Sequence, residues 1–379
     1  MRGVKVAGVG LVKVQEHWDS SIQDLFTEAS FKAIKDAGVE DVDKIYVSNM
    51  SAALMQEQLN LAAIMADSLG KPGLPATRIE AGSASGGVAF HEAVQAVASG
   101  YSDAVLVAGV EKMSDILPEV VTTSLAMAEE QEYTSYTGVT QAGIAAMIHR
   151  LYMDIYASPE EIAMMAVKSH DHAVGCKHAQ YPFKMSIERA MASPMEADPI
   201  HSMECSGIGD GAAAVVLVPA DKSGVEVAGT AISTDYTSIA HREDPLEMKA
   251  IKIASDKAYK MAGIKAKDVN LAEVQDDFTI NGVLGLEGLG FAKPGEGAKL
   301  AASSEVDKDG KIPVNTFGGL KARGNPLGAT GIYQLAEIAL QLKGAAGAHQ
   351  IDEADIGVAQ NMGGMASICA VNVLRRAKK

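Results

Sequence analysis

Residues 315–331 read Asn-Thr-Phe-Gly-Gly-Leu-Lys-Ala-Arg-Gly-Asn-Pro-Leu-Gly-Ala-Thr-Gly. Five glycines and a proline fall in the 14 residues from Gly318 to Gly331. Glycine serves where backbone angles turn positive or two backbones approach closely, and this density exceeds what packing alone requires. From Leu327 to Leu342 the apolar residues follow a helical period. The segment therefore reads as a crowded turn that opens into a helix.

Working outward, the chain shows a weak internal duplication. Each half carries a strand, a helix, a second strand, a small-residue turn into a helix, and a further strand. In the first half the pattern predicts strands at Val4–Val9, Lys44–Ser48 and Ala104–Gly109, with helices at Ser21–Ala37 and Ser83–Gly100. In the second half it predicts strands at Val225–Asp235, Leu271–Val274 and Ile356–Gln360, with helices at Pro245–Ala262 and Leu327–Leu342. Near-continuous apolar runs such as Ala104–Val110 suit strands covered on both faces. Between the halves lies a segment, roughly Ser114–Cys205, rich in Met, Tyr and His. It contains helical patterns at Ala142–Tyr156 and Pro159–Ala173, and reads either as a substrate-binding lid or as a structural or dimerisation layer. The expected division is 1–113 with 206–222, an inserted 114–205, and 223–379.

Composition bounds the function. Hydrophobic residues make up 47% and aromatics 5% of the 379 residues, which suits helices packed on buried strands. The net charge of −15 excludes nucleic acid and anionic membranes as general partners. An anionic ligand would need a local basic patch, and Lys177, His178 and Lys184, or Arg242, Lys249 and Lys252, can supply one. Solvated surface charge is the plainer reading of each group. Cys176, Cys205 and Cys369 show no paired spacing, which argues for a reducing, cytoplasmic setting and against a disulfide scaffold or a metal site in this chain. The N-terminus has a strand pattern, and no apolar run approaches the roughly 18 residues that span a bilayer.

Four constellations carry chemistry. Glu80–Gly87 places small residues between a strand and a long helix, with Ser83 where helix-start N–H groups favour negative charge. A tight turn without chemistry has the same look. Val274–Asn281 places Asp276 and Asp277 at the end of an apolar strand, where open α/β sheets bind ligands; a carboxylate cap on a helix beginning near Thr279 is the alternative. The third is the glycine-rich turn around Asn325. The fourth, Gln360–Gly364, ends a strand in paired glycines and suits a backbone N–H oxyanion site at Gly363, or a plain turn. His91, eight residues into the Ser83 helix, reads as a satisfied or exposed helix residue, and the methionines of 147–165 as packing.

These constellations occur in the order found in thiolases, and the chain is similar to that superfamily along essentially its whole length. Ala104–Met113, Ala192–Pro199, Cys205–Ala214, Phe278–Phe291 and Val314–Gly331 carry the resemblance, which is strongest to archaeal acetoacetyl-CoA thiolases and the sterol-carrier-protein group. It implies a five-layered α-β-α-β-α fold from two similar halves with an inserted loop domain. It also implies an acyl-CoA thioester substrate; Lys184, Arg242 and Lys249 from the basic patches, with Gly318 and Gly319, are the expected coenzyme A contacts. Homodimers, often paired into tetramers, are implied too, as is a small zinc-ribbon, oligonucleotide-fold partner subunit.

The departures are equally specific. Ser83 stands where the family has its nucleophilic cysteine, and Asn325 where it has the activating histidine. Gln275 and Asp277 replace the histidine and cysteine of a His-Asp-Cys-Phe motif, and Asn361 replaces the second cysteine of other thiolases. A serine hydroxyl needs a positioned base that an asparagine cannot be. Gln275 and Asn325 keep amide donors for an enolate oxygen, and Asp277 offers acid–base chemistry. The expectation is therefore an acyl-CoA enzyme of acetyl-CoA acyltransferase type that makes or breaks a C–C bond with altered catalytic residues. The rivals are a non-catalytic subunit and a cysteine-independent retro-aldolase working with the zinc-ribbon partner.

Overall fold

The computed structural model describes residues 2–377. Nine strands form one sheet: β1 Val4–Leu11, β2 Lys44–Ser48, β3 Ala76–Ile79, β4 Val105–Glu111, β5 Gly211–Pro219, β6 Val225–Thr234, β7 Leu271–Glu273, β8 Ile356–Gly363 and β9 Ile368–Arg375. Their order is β3-β2-β4-β5-β1-β6-β9-β8-β7. The first five belong to one half of the chain and the last four to the other. Only two residue pairs, Lys5 with Glu226 and Val6 with Val225, join β1 to β6.

Helix α1, Ile22–Ala37, covers the outer face of the first half-sheet. Ser21 caps it in a box with Asp24, and Gly38 closes it at φ 64°; together these satisfy end groups that the helix cannot satisfy itself. Two further helices, α2 (Ser85–Ala98) and α7 (Thr330–Lys343), lie between the half-sheets and touch each other. In the inserted segment, α3 runs Gln141–Ile155 and α4 Pro159–Ala173. On the far face of the second half-sheet lie α5, Lys249–Ala262, and the neighbouring α6, Thr279–Gly288. The layers are thus α-β-α-β-α, as expected.

The middle layer explains much of the glycine pattern. A Cβ on Gly331 would come within 2.4 Å of the Gly87 nitrogen, and one on Gly86 within 2.8 Å of the Ile332 nitrogen. The two central helices touch backbone to backbone. This contact sets the N-termini of α2 and α7 side by side, at the end of the sheet where the second and fourth constellations also lie. Among the described residues, no helix is long and apolar enough to cross a membrane.

Candidate active site

Ser83 lies in the turn between β3 and α2. Gly82 takes φ 57°, and Ser85 Oγ locks the turn by accepting from the Ala81 N–H at 2.9 Å and donating to the Gly82 carbonyl at 2.5 Å. Among the described residues, the Ser83 hydroxyl makes one side-chain contact within hydrogen-bond reach, to the Met50 thioether at 4.0 Å. Among the described residues no imidazole or carboxylate is hydrogen-bonded to it.

Asn361, on β8, fastens this turn to the second half. Its Nδ2 donates to the Ser83 carbonyl at 3.0 Å and to Gln275 Oε1 at 2.8 Å, while its Oδ1 accepts from the Gly87 N–H at 2.9 Å. Gln275 Oε1 also accepts from the Met362 N–H at 2.8 Å. The Gln275 carboxamide is therefore spent on β8 and on steadying Asp277, and does not line the cavity described below. Gly363 ends β8, where a Cβ would come within 2.4 Å of the Ala81 carbonyl.

Asp277 Oδ1 accepts from Asn281 Nδ2 at 2.8 Å and from the Phe278 N–H at 3.2 Å. Burial pushes its carboxyl up to about 6, while the amide of Asn281 holds it lower than burial alone would. The capping alternative fails: Phe278 is the N-cap of α6, with no side-chain cap. Asp276 turns away from the cavity, accepting from the Ser169 hydroxyl at 2.7 Å and the Leu320 N–H at 2.6 Å.

Asn325 Oδ1 accepts from the Leu327 N–H and from Thr330 Oγ1, each at 3.2 Å. A backbone N–H can only donate, so the amide orientation is determined and Nδ2 faces Ser206 Oγ at 3.2 Å. Behind this turn the buried carboxylate of Glu111 accepts from Asn49 Nδ2 and from the N–H groups of Met50, Ser51 and Gly328, at 2.6 to 2.9 Å. One carboxylate thereby ties the Met50 loop to the Asn325 turn.

Ser83, Asp277 and Asn325 line one cavity of about 460 Å³. Sequence reasoning missed Lys321, His170, Cys205 and Ser206, which also line it. Lys321 lies inside the glycine-rich stretch itself; His170 gave no cue beyond the helical pattern of the insert. Cys205 is no substitute nucleophile. Burial, with Glu196 and Glu204 nearby, pushes its thiol up to about 12.

The residues expected at coenzyme A are scattered. Arg242 is buried, with its guanidinium donating to the carbonyls of Tyr236 and Met365, so it is no free cation. Lys249 pairs with Glu243 at 3.4 Å, away from the cavity. Gly319 is required internally, because a Cβ there would meet Asn315 Nδ2 at 2.3 Å and the Asp276 carboxylate at 2.5 Å; Gly318, at φ 108°, packs on Ala173. Lys184 alone is exposed and adjoins a cavity residue, Phe183. His178 is held by Glu337 at 2.8 Å in a buried cluster with Arg323.

The chain matches the thiolase N-terminal domain over residues 10–221 and the thiolase C-terminal domain-like family over 231–376. It belongs to the thiolase family. An acetyl-CoA acetyltransferase of Methanothermobacter thermautotrophicus is 44% identical over 385 residues, covering 99% of this chain and all of that protein. The benzoylsuccinyl-CoA thiolase subunit BbsB of Thauera aromatica is 30% identical, covering 93% of this thiolase-family chain and 92% of that protein. Among solved structures, an Ltp2–ChsH2(DUF35) aldolase superposes with a TM-score of 0.85 at 22% identity over 100% of this chain and 98% of that one. At that identity the likeness shows the fold.

Proposed function

We propose that this thiolase-family protein acts on an acyl-CoA thioester, cleaving or forming the bond next to the thioester carbonyl without an acyl-enzyme at Ser83. One observation carries the reading. Asp277, with a carboxyl near 6, shares a cavity with a fixed Asn325 amide donor, while among the described residues the Ser83 hydroxyl is hydrogen-bonded to no base. Acyl transfer through Ser83 lacks a base, whereas proton transfer at Asp277 does not.

In the cleavage direction, the Asp277 carboxylate takes the proton of a 3-hydroxyl group. The C2–C3 bond breaks, a carbonyl forms at C3, and the bonding pair passes into the thioester as an enolate. Asn325 Nδ2 donates to the enolate oxygen, and Asp277 returns its proton to C2. The reverse sequence is an aldol condensation. Ser83 then acts through its backbone, at the helix start beside Gly363.

The protein is further proposed to work as a homodimer, in a reducing cytoplasmic setting, with a small zinc-ribbon partner. Two relatives support the partner: one is described as a subunit, the other as an aldolase with a DUF35 chain. Of the expected coenzyme A contacts, Lys184 is retained. The test is turnover of 3-hydroxyacyl-CoA and 3-oxoacyl-CoA by purified protein, with and without any co-purifying partner, alongside intact mass after incubation with acetoacetyl-CoA. Cleavage without a mass adduct on Ser83 is expected. An adduct on Ser83 would restore the acyl-enzyme route, and no turnover under any condition would favour the scaffold reading.

A further inference from the structure

Lys321 lies within the turn Gly319–Arg323 on the wall of the candidate cavity, and only 4% of it is exposed. Among the described residues its ammonium makes no hydrogen bond and has no carboxylate within 4.0 Å. Asp276, whose charge reaches it, is already engaged by Ser169 and Leu320. Burial lowers its pKa, against the charges of Asp276 and Cys205, and an anion brought to the cavity wall would favour the charged ammonium.

His170 supplies a second, independent observation. Its Nδ1 lies 3.0 Å from the Phe183 carbonyl, which can only accept, so Nδ1 carries the proton. Its Nε2 is buried and has no partner. Burial, and after it the charge of Lys321, holds this imidazole down to about 4. An anion placed at Lys321 would offset the second of these causes. Two nitrogens of residues on one cavity wall thus lack a hydrogen-bond partner among the described residues.

We propose that Lys321 contacts the substrate directly and pairs with a carboxylate on its acyl group, so that the site takes the coenzyme A thioester of a dicarboxylic acid. The inference rests on the acyl-CoA reading above. A carboxylate is favoured over a coenzyme A phosphate by depth. Lys321 and His170 are buried, whereas Thr122, Thr140 and Glu196 on the same cavity are exposed and mark its opening. A single ammonium also suits one carboxylate better than a pyrophosphate.

The experiment is calorimetric binding of glutaryl-CoA and butyryl-CoA, repeated with the corresponding pantetheine thioesters. Wild-type protein is expected to bind glutaryl-CoA at least roughly tenfold more tightly, with the preference preserved in the pantetheine pair. Lys321→Met is expected to bind the two thioesters equally, and Lys321→Arg to keep the preference; thermal melting checks that each variant is folded. Equal binding by wild type overturns the proposal and leaves the acyl-CoA reading intact. A preference that survives in Lys321→Met, or that disappears without the nucleotide, also overturns it. Binding of neither thioester removes both readings.

Discussion

Asp277 is where the chemistry is most exposed to test. Its folded pKa, near 6, lies above its ordinary value of 3.8. Folding therefore favours the protonated form. The resulting penalty is absent below about pH 4 and fully developed above about pH 6, so Asp277→Asn should raise stability at pH 8 by about 3 kcal/mol and leave it nearly unchanged at pH 4, as read by chemical denaturation. If the carboxylate is the base, cleavage by wild type should rise through about pH 6, and the Asn variant should lose at least ~100-fold on the plateau above about pH 7, with the loss shrinking at lower pH. A variant that keeps the wild-type profile would remove Asp277 from the mechanism. Most of this site was legible in the sequence: Ser83, Asp277 and Asn325 were singled out from three separate motifs, and they meet in one cavity. Gln275 was read as a donor to the ligand, but β8 holds its oxygen, its side chain also bonds Asp277, and it does not line the cavity. Arg242 was read as a free cation because a sequence does not reveal which guanidiniums are consumed by backbone carbonyls.

At the level of elements, patterning located the helices well, including α4 at its observed bounds and His91 as a satisfied helix residue bonded to Thr230 at 2.8 Å. Two strands, β5 and β9, were missed, and β3 was read only as a strand-like segment before Glu80, without bounds. β3 is a short edge strand of four residues with Arg78 in its middle. β5 directly follows the irregular insert, where its small residues resemble a turn. β9 carries Asn372 in its centre, which breaks the apolar run; in the fold Asn372 is buried, with its Oδ1 accepting from Thr230 Oγ1 at 2.6 Å. The glycine contact between α2 and α7 was visible as density but not as geometry. Gly331→Ala forces a methyl group to within 2.3 Å of Asn361 Oδ1 and 2.4 Å of the Gly87 nitrogen. Backbone cannot yield as a flexible side chain does, so the cost should be about 2–4 kcal/mol, measured as a lowered denaturation midpoint. Gly344→Ala, a C-cap at φ 71° with open space around it, should cost about 1 kcal/mol.

Taken whole, the molecule is an acid that is proposed to bind an acid. With a net charge of −15, its long-range field repels a polyanionic thioester. Added salt screens that repulsion, so KM for an acyl-CoA should fall as ionic strength rises from about 0.02 to about 0.2 M, while kcat stays level. A rising KM would indicate local cationic steering instead. The two-rung seam between β1 and β6 has a different consequence. The half-sheets share almost no ladder, and the central helices, one from each half, hold them together. A chain severed between Pro219 and Val225 would leave both half-sheets whole, yet would part Ser83 from Asp277 and Asn325. Co-produced, the two pieces should find each other through the helix crossing and regain thioester binding by complementation; separately, neither should bind. The catalytic pocket is in that sense an internal heterodimer written as one polypeptide.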